Sequence, residues 1–348
     1  MTAYRDLSPV IVVTGFLGSG KTTLLNHALQ DPALGDAAVL VNEFGEVGLD
    51  HQLLEVIDQN MVLLASGCVC CTIRDDLKSA VLELHERRLQ GTIPPFRRLV
   101  IETTGLADPT PIVATFMHDL ELRHRYRLAL VITTVDAVNG LAQLDTHHEA
   151  LKQAAIADRL VLTKTDLAAA TAVADLRTRL ATLNPAAALM VAHGGALDVA
   201  ALLAADVYAP AARAAEATRW LAAVAADDHG GHAHASERNR HSAGIHAFCV
   251  TFATALDWTA FGIWLTLLLH SHGSQVLRVK GLLNVRGADT PVVINGVQHL
   301  VHPPVHLPAW PDADRRSRIV FIVQDLGRAQ IEESLAVFNA LGGDLPPS

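Results

Sequence analysis

The run Gly15-Phe16-Leu17-Gly18-Ser19-Gly20-Lys21-Thr22 constrains this chain more tightly than any other feature. It fits G-x-x-x-x-G-K-[ST], follows a β-branched run at residues 10–14 and opens a stretch of helical pattern. Glycines at these positions let consecutive backbone N–H groups turn inward, and the helix that follows directs its positive end at the same point. Such a loop holds a polyphosphate. Within it Lys21 reaches the terminal phosphates, Thr22 is placed to ligate Mg²⁺, and Gly15, Gly18, Ser19, Gly20 and Thr23 complete the phosphate-binding set.

A strand–loop–helix unit of this kind belongs to an α/β domain with a mainly parallel sheet, and the next two hundred residues supply one. Apolar, β-branched runs predict strands at residues 10–14, 38–41, 61–65, 98–102, 128–135, 160–162 and 189–192, with helical patterns between them. The clearest helix is predicted over 73–89, where Ile73, Leu77, Ala80, Val81 and Leu84 recur on one face. Composition shifts after about residue 208. An Ala-rich stretch and a polar, His-rich tract over 209–243 read as a linker between a P-loop domain at 1–208 and a smaller α+β domain at 244–348. In that second part strands are predicted at 246–252, 275–285 and 318–323, helices at 258–270 and 328–341, and a hairpin turning at Asn295-Gly296.

The charge balance narrows the class of partner. Acidic residues number 36 against 27 basic ones, a formal net charge of −9, which argues against a dedicated nucleic-acid or anionic-membrane binder. The longest strongly apolar stretch, residues 258–269, is too short to cross a bilayer, and the N-terminus lacks an apolar secretory core. A cytoplasmic protein is expected. Three of the four cysteines crowd into Cys68, Cys70 and Cys71, too close for ordinary disulfide geometry. Thiolate chemistry is the better reading.

Thr163-Lys164-Thr165-Asp166 follows an apolar strand where many GTPases carry Asn-Lys-x-Asp. The Asp166 carboxylate would accept both N–H groups of guanine and the Lys164 stem would cover the ring. Adenine lacks that donor pair, and a buried acceptor left without donors is costly. Glu102-Thr103-Thr104-Gly105 ends another predicted strand, which suits Glu102 to the Mg²⁺ shell and the Gly105 N–H to a γ-phosphate. Lys21 and Glu102 are the candidate catalytic groups. The segment Asn42-Glu43-Phe44-Gly45-Glu46 mixes carboxylates and glycine as a switch does, and Glu43 is a candidate metal ligand.

Cys68, Cys70 and Cys71 precede the predicted 73–89 helix, and a helix start lowers thiol pKa values. Three thiolates supply three corners of a tetrahedron for Zn²⁺, with the fourth open or filled by Glu, His or a partner. Structural thiols and a redox sensor are the alternatives. His229, His232 and His234 in the linker form a weak auxiliary metal set or a solvated tract, Cys249 reads as core, and His147, His148, His270 and His272 as surface or capping residues.

Together, Gly15 to Thr23, Asn42-Glu43-Phe44-Gly45, Cys68-x-Cys70-Cys71, Glu102-Thr103-Thr104-Gly105-Leu106-Ala107-Asp108-Pro109, Thr163-Lys164-x-Asp166 and Leu277-Arg278-Val279-Lys280-Gly281 resemble the CobW-type GTPases. That family groups zinc-regulated metallochaperones with proteins of cobalamin synthesis and nitrile hydratase activation. The resemblance implies slow, metal-responsive GTP hydrolysis coupled to delivery of a transition metal to a client metalloprotein. It carries the metal role onto Cys68, Cys70 and Cys71, with Zn²⁺ expected and Co²⁺ the alternative. It carries the nucleotide role onto Lys21, Thr22, Glu102, Lys164 and Asp166. Thr163 departs from the commoner Asn. A homo-oligomer is compatible with the sequence, and cobalt or iron insertion, a P-loop small-molecule kinase and a metal buffer without turnover are the rival readings.

Overall fold

The computed structural model describes residues 6–42, 61–64, 73–204, 206 and 244–343. The chain divides into two compact units, Met1–Arg177 with Leu189–Asp206, and Thr178–Ala188 with Val207–Ser348. The predicted linker lies outside the described residues.

The first unit is built on a seven-stranded sheet. Its strands are β1 (Ser8–Gly15), β2 (Ala37–Asn42), β3 (Met61–Leu64), β4 (Arg98–Glu102), β5 (Tyr126–Asp136), β6 (Arg159–Thr163) and β7 (Ala188–Val191), in the spatial order β3-β2-β4-β1-β5-β6-β7. β1 to β6 pair in parallel. Parallel strands need covered faces, and β1 accordingly buries six consecutive residues from Val10 onward, not alternate ones. Ile11, Val13, Val39, Val41, Val100, Leu130, Ile132 and Val161 form one face, and Leu24 and Leu25 of α1 (Lys21–Ala28) pack on it. Helix α2 (Ile73–Leu89) buries Leu77, Ala80, Val81 and Leu84, the stripe expected from their spacing. Among the described residues the other α-helices up to residue 203 are α3 (Thr110–His118), α4 (Gly140–Thr146), α5 (His148–Ile156), α6 (Ala170–Leu183), whose residues from Thr178 onward belong to the second unit, and α7 (Val199–Leu203).

This strand order sets the site. β1 lies between β4 and β5, its neighbours on opposite sides, so the chain leaves the sheet in opposite directions at that point. A crevice opens at the carboxyl ends of the strands there, where α/β sheets bind ligands. The register brings Val13 beside Glu102, Gly15 beside Thr134, and Asp136 beside Thr163.

The second unit carries a six-stranded sheet in which β8 (Ile245–Phe252), β9 (Val276–Leu283), β10 (Val292–Val297), β11 (Leu300–Val301) and β13 (Ser317–Gln324) run β11-β10-β9-β13-β8, and β12 (Val305–His306) pairs with β10. The pairings of β9, β10 and β13 with their neighbours are antiparallel. Helices α8 (Trp258–His272) and α9 (Arg328–Gly343) cover one face through Phe261, Trp264, Leu265, Ile331 and Leu335. Asp257 caps α8, accepting from the Ala260 N–H at 2.9 Å. The indole Nε1 of Trp264 donates to Ser334 Oγ at 2.9 Å and links the two helices.

One expectation is corrected here. Asn295-Gly296 does not turn the hairpin: both residues lie inside β10, opposite Lys280 and Val279. The turn falls at Gln298 and His299, with Gln298 at φ 50° and Val297 paired to Leu300. Turning at Asn295 would have cut short a strand buried along its whole length, and that burial outweighs the local preference of Asn-Gly. Cys249, expected in the core, is half-buried on β8.

Candidate nucleotide site

β1 ends in Gly15, and the loop from there to Lys21 closes over its own backbone. The Ser19 N–H donates to the Phe16 carbonyl at 3.1 Å. Gly15 has φ 145°, a conformation side chains rarely adopt, and a Cβ there would collide with Thr134. Lys21 is buried at 9% exposure, and its Nζ donates to the Gly15 carbonyl at 2.9 Å and the Phe16 carbonyl at 3.2 Å. Burial pushes the ammonium below its ordinary range, and the Glu102 carboxylate opposes that. A cation held in this way at the mouth of a P-loop gains most from an incoming phosphate.

Thr22 and Glu102, 80 residues apart, meet at the carboxyl end of the sheet: Thr22 Oγ1 donates to Glu102 Oε1 at 2.7 Å. A hydroxyl and a carboxylate side by side form an all-oxygen donor set, which fits Mg²⁺ and not a soft metal. Beyond Glu102, Thr103 is tied back by its N–H to the Val13 carbonyl (2.9 Å) and by its hydroxyl to Thr14 Oγ1 (2.8 Å). Gly105 lies against the P-loop: a Cβ there would stand 2.7 Å from the Leu17 N and Cα, contacts no backbone can yield to cheaply.

The base-side residues are bolted to the same loop. Thr163 Oγ1 donates to the Ser19 carbonyl at 2.7 Å, so the hydroxyl supplies a link to the P-loop at the position where Asn is commoner. Lys164 sits at φ 56° with its Nζ donating to the Gly18 carbonyl at 2.7 Å and to Asp136 Oδ2 at 2.8 Å. Ser19 Oγ and Thr134 Oγ1 share a hydrogen bond of 2.6 Å beneath the loop. Asp166, expected as a buried acceptor, stands exposed on the turn after β6, so its carboxylate would be shielded only by the ring it receives.

Two residues of this site escaped the sequence reading. Asp136, 1% exposed, ends β5 and accepts from Lys164, from the Val138 N–H (2.8 Å) and from Asn139 Nδ2 (3.0 Å). Burial raises its carboxyl, but these bonds and the Lys164 charge outweigh burial and hold it below the usual carboxylate range. A strand-terminal Asp one step from Val135 was its only signal. Gln153 on α5 is wholly buried and grips the segment after Gly105, and nothing in its surroundings in the sequence marks it.

The candidate metal residues Glu43, Cys68, Cys70, Cys71, His229, His232 and His234 lie outside the described residues. Among the described residues no group of three or more His, Cys, Asp or Glu side chains is placed to hold a metal. His147 precedes α5 and stacks on Phe16 of the P-loop, ring centroids 4.5 Å apart, without forming a cap bond. Among the described residues no helix is long and apolar enough to cross a membrane.

Comparison with known proteins places the chain in a family. Residues 9–191 match the CobW/HypB/UreG nucleotide-binding domain, and residues 245–339 match the cobalamin synthesis protein cobW C-terminal domain. The chain is 34% identical to the zinc chaperone YjiA of Escherichia coli over 327 residues, covering 94% of this chain and 97% of that protein. It is 32% identical to the zinc chaperone CobW of Pseudomonas aeruginosa, covering 94% and 90%. The crystal structure of Zn(II)-bound YjiA GTPase superposes with a TM-score of 0.71 at 29% identity, over 96% of this chain and 99% of that one. From the P-loop to the C-terminal sheet, this chain belongs to the CobW family of P-loop proteins.

Proposed function

We propose that this protein is a GTPase that carries Zn²⁺ at Cys68, Cys70 and Cys71 and hands it to a client metalloprotein under control of its nucleotide state. The observation that carries the reading is the convergence of phosphate-side and base-side residues on one loop. Lys21 is pinned on Gly15 and Phe16, Thr22 on Glu102, and Thr163 and Lys164 on Ser19 and Gly18. The zinc chaperones and the Zn(II)-bound GTPase named above support the cargo.

In the reaction, Lys21 exchanges its two carbonyl partners for phosphate oxygens and stabilises charge that builds up as the terminal phosphoryl group leaves. Thr22 and Glu102 would hold Mg²⁺, which would supply neutralisation of the phosphate charge. Gly15, Gly18, Ser19, Gly20 and Thr23 cradle the phosphates, and the Gly105 N–H meets the γ-phosphate. Lys164 covers the base, and Asp166 accepts its two N–H groups. Zn²⁺ as cargo sits on thiolates, which must ionise to receive it, so loading releases protons. Between Cys71 and Glu102 the chain passes through one helix, α2, and one strand, β4, so cargo and nucleotide residues are joined by a short, continuous piece of the fold. Nucleotide state and Zn²⁺ affinity are then coupled in both directions.

The test is base choice and turnover. Asp166→Asn should weaken GTP by about 1.5–3 kcal/mol, the worth of hydrogen bonds to a charged group, and Lys21→Ala should abolish hydrolysis. ATP competing as well as GTP against the wild-type protein would overturn the base assignment, and unchanged hydrolysis in Lys21→Ala would overturn the P-loop role.

A further inference from the structure

Helix α5 contains a wholly buried amide that none of the preceding chemistry uses. Gln153 is 0% exposed, and its Nε2 donates to two carbonyls of one loop, Gly105 at 3.1 Å and Ala107 at 3.0 Å. Its main-chain carbonyl accepts from Thr133 Oγ1 at 2.7 Å, which fixes the helix to β5 at this point. The preceding residue, Lys152, approaches the carboxylate of Asp108 at 3.4 Å, and the other oxygen of Asp108 holds the Thr110 N–H at 2.9 Å. Two neighbours on one helix therefore grip both ends of segment 105–108.

A buried amide is an expensive way to fill space. An apolar side chain of the same length would fill the space but leave the Gly105 and Ala107 carbonyls without this donor, and Gln153 Oε1 has no hydrogen-bond partner among the described residues. Half of the group's bonding capacity is thus forgone, and what it gains is a fixed position for the Gly105–Ala107 backbone. That position is tight. Gly105 is flush with the backbone of Leu17, and Gln153 lines the same small cavity as Phe16 and Thr134, beneath the P-loop. A shift of this segment by a fraction of an ångström alters any bond from Gly105 to a terminal phosphate.

We propose that Gln153 is a positioning residue for GTP hydrolysis: its amide clamps the Gly105 and Ala107 carbonyls so that the Gly105 N–H is set against the γ-phosphate. The clamp rests on the GTPase reading above and adds to it a group that never touches nucleotide. Because GDP has no γ-phosphate, the clamp should matter for GTP and not for GDP.

The experiment compares wild type, Gln153→Met and Gln153→Glu in GDP affinity, GTPγS affinity and single-turnover GTP hydrolysis. In Gln153→Met, GDP affinity should stay within about twofold, while GTPγS affinity and hydrolysis each fall about tenfold or more, a difference of ~1.4 kcal/mol. In Gln153→Glu the protonated carboxyl still donates one bond, so hydrolysis should decline with rising pH as the carboxylate forms against two carbonyls, a limb absent from the wild type. Equal weakening of GDP and GTPγS, or no change in either, overturns the proposal. Failure of the wild type to bind guanine nucleotides sinks the GTPase reading instead, and is seen before any variant is made. Should Gln153→Met not fold, hydrogen exchange of the wild type decides. Amides of residues 103–109 should be better protected with GTPγS than with GDP, and identical protection refutes the clamp.

Discussion

Asp136→Asn isolates the ion pair that holds Lys164 on the P-loop. The substitution keeps the volume and an acceptor for the Val138 N–H, but removes the charge facing Lys164 Nζ at 2.8 Å. A hydrogen bond to a charged group is worth about 1.5–3 kcal/mol. Asp136 is fully enclosed, yet the Lys164 side chain is 36% exposed, and screening by water reduces the expected loss to about 1–2 kcal/mol. The effect has a pH signature. The folded carboxyl is held below its usual range, so the unfolded chain takes up the proton first as pH falls. The stabilisation is complete above the ordinary Asp value of about 3.9 and vanishes as pH drops through the folded value. Urea unfolding of both proteins at pH 7 and at successively lower pH reads this directly. A difference below about 0.3 kcal/mol at pH 7, or one that grows on acidification, would refute the reasoning.

Gly105→Ala places a methyl group 2.7 Å from Leu17 backbone atoms, so it should lower the melting temperature and weaken nucleotide binding together; a neutral outcome in calorimetry would contradict the close packing of this segment on the P-loop. Thr163→Val removes the donor to the Ser19 carbonyl and should cost about 1–2 kcal/mol in unfolding experiments, because a buried acceptor loses its partner. Burial, then the charges of Arg88 and Arg125, push the His85 ring below its ordinary pKa. Its contribution is therefore present above about pH 6.5 and lost as pH falls through the folded value. His85→Gln should flatten the acid side of the stability profile, and an unchanged profile would count against this assignment.

The elements that position the site were legible because each is written locally. The P-loop spacing, the β-branched runs and the stripe Leu77, Ala80, Val81, Leu84 follow from periodicity alone, and strands and helices stand within a few residues of their predicted bounds. What escaped is long-range. Asp136 acquires meaning only beside Lys164, 28 residues on, and Gln153 only beside Gly105, 48 residues back. Neither pairing has a spacing rule. Thr163 looked like a departure at a guanine-binding position, and its hydroxyl proves to bond the P-loop itself. The misplaced hairpin shows the converse: Asn295-Gly296 has the strongest local turn preference in its region, and the buried register of β10 on β9 overrides it.

The most direct test of the account is Zn²⁺ affinity and stoichiometry, with wild type and a Cys68→Ser, Cys70→Ser, Cys71→Ser triple variant each in the GDP-bound and GTPγS-bound states. The account predicts one tight Zn²⁺ per wild-type chain, with affinity differing at least about tenfold between nucleotide states, or ~1.4 kcal/mol of coupling. The triple variant should bind GTPγS normally and lose both the tight Zn²⁺ and the coupling. Stoichiometric Zn²⁺ retained by the triple variant at nanomolar affinity, about −12 kcal/mol, would remove the cysteines from the cargo site and contradict the central claim.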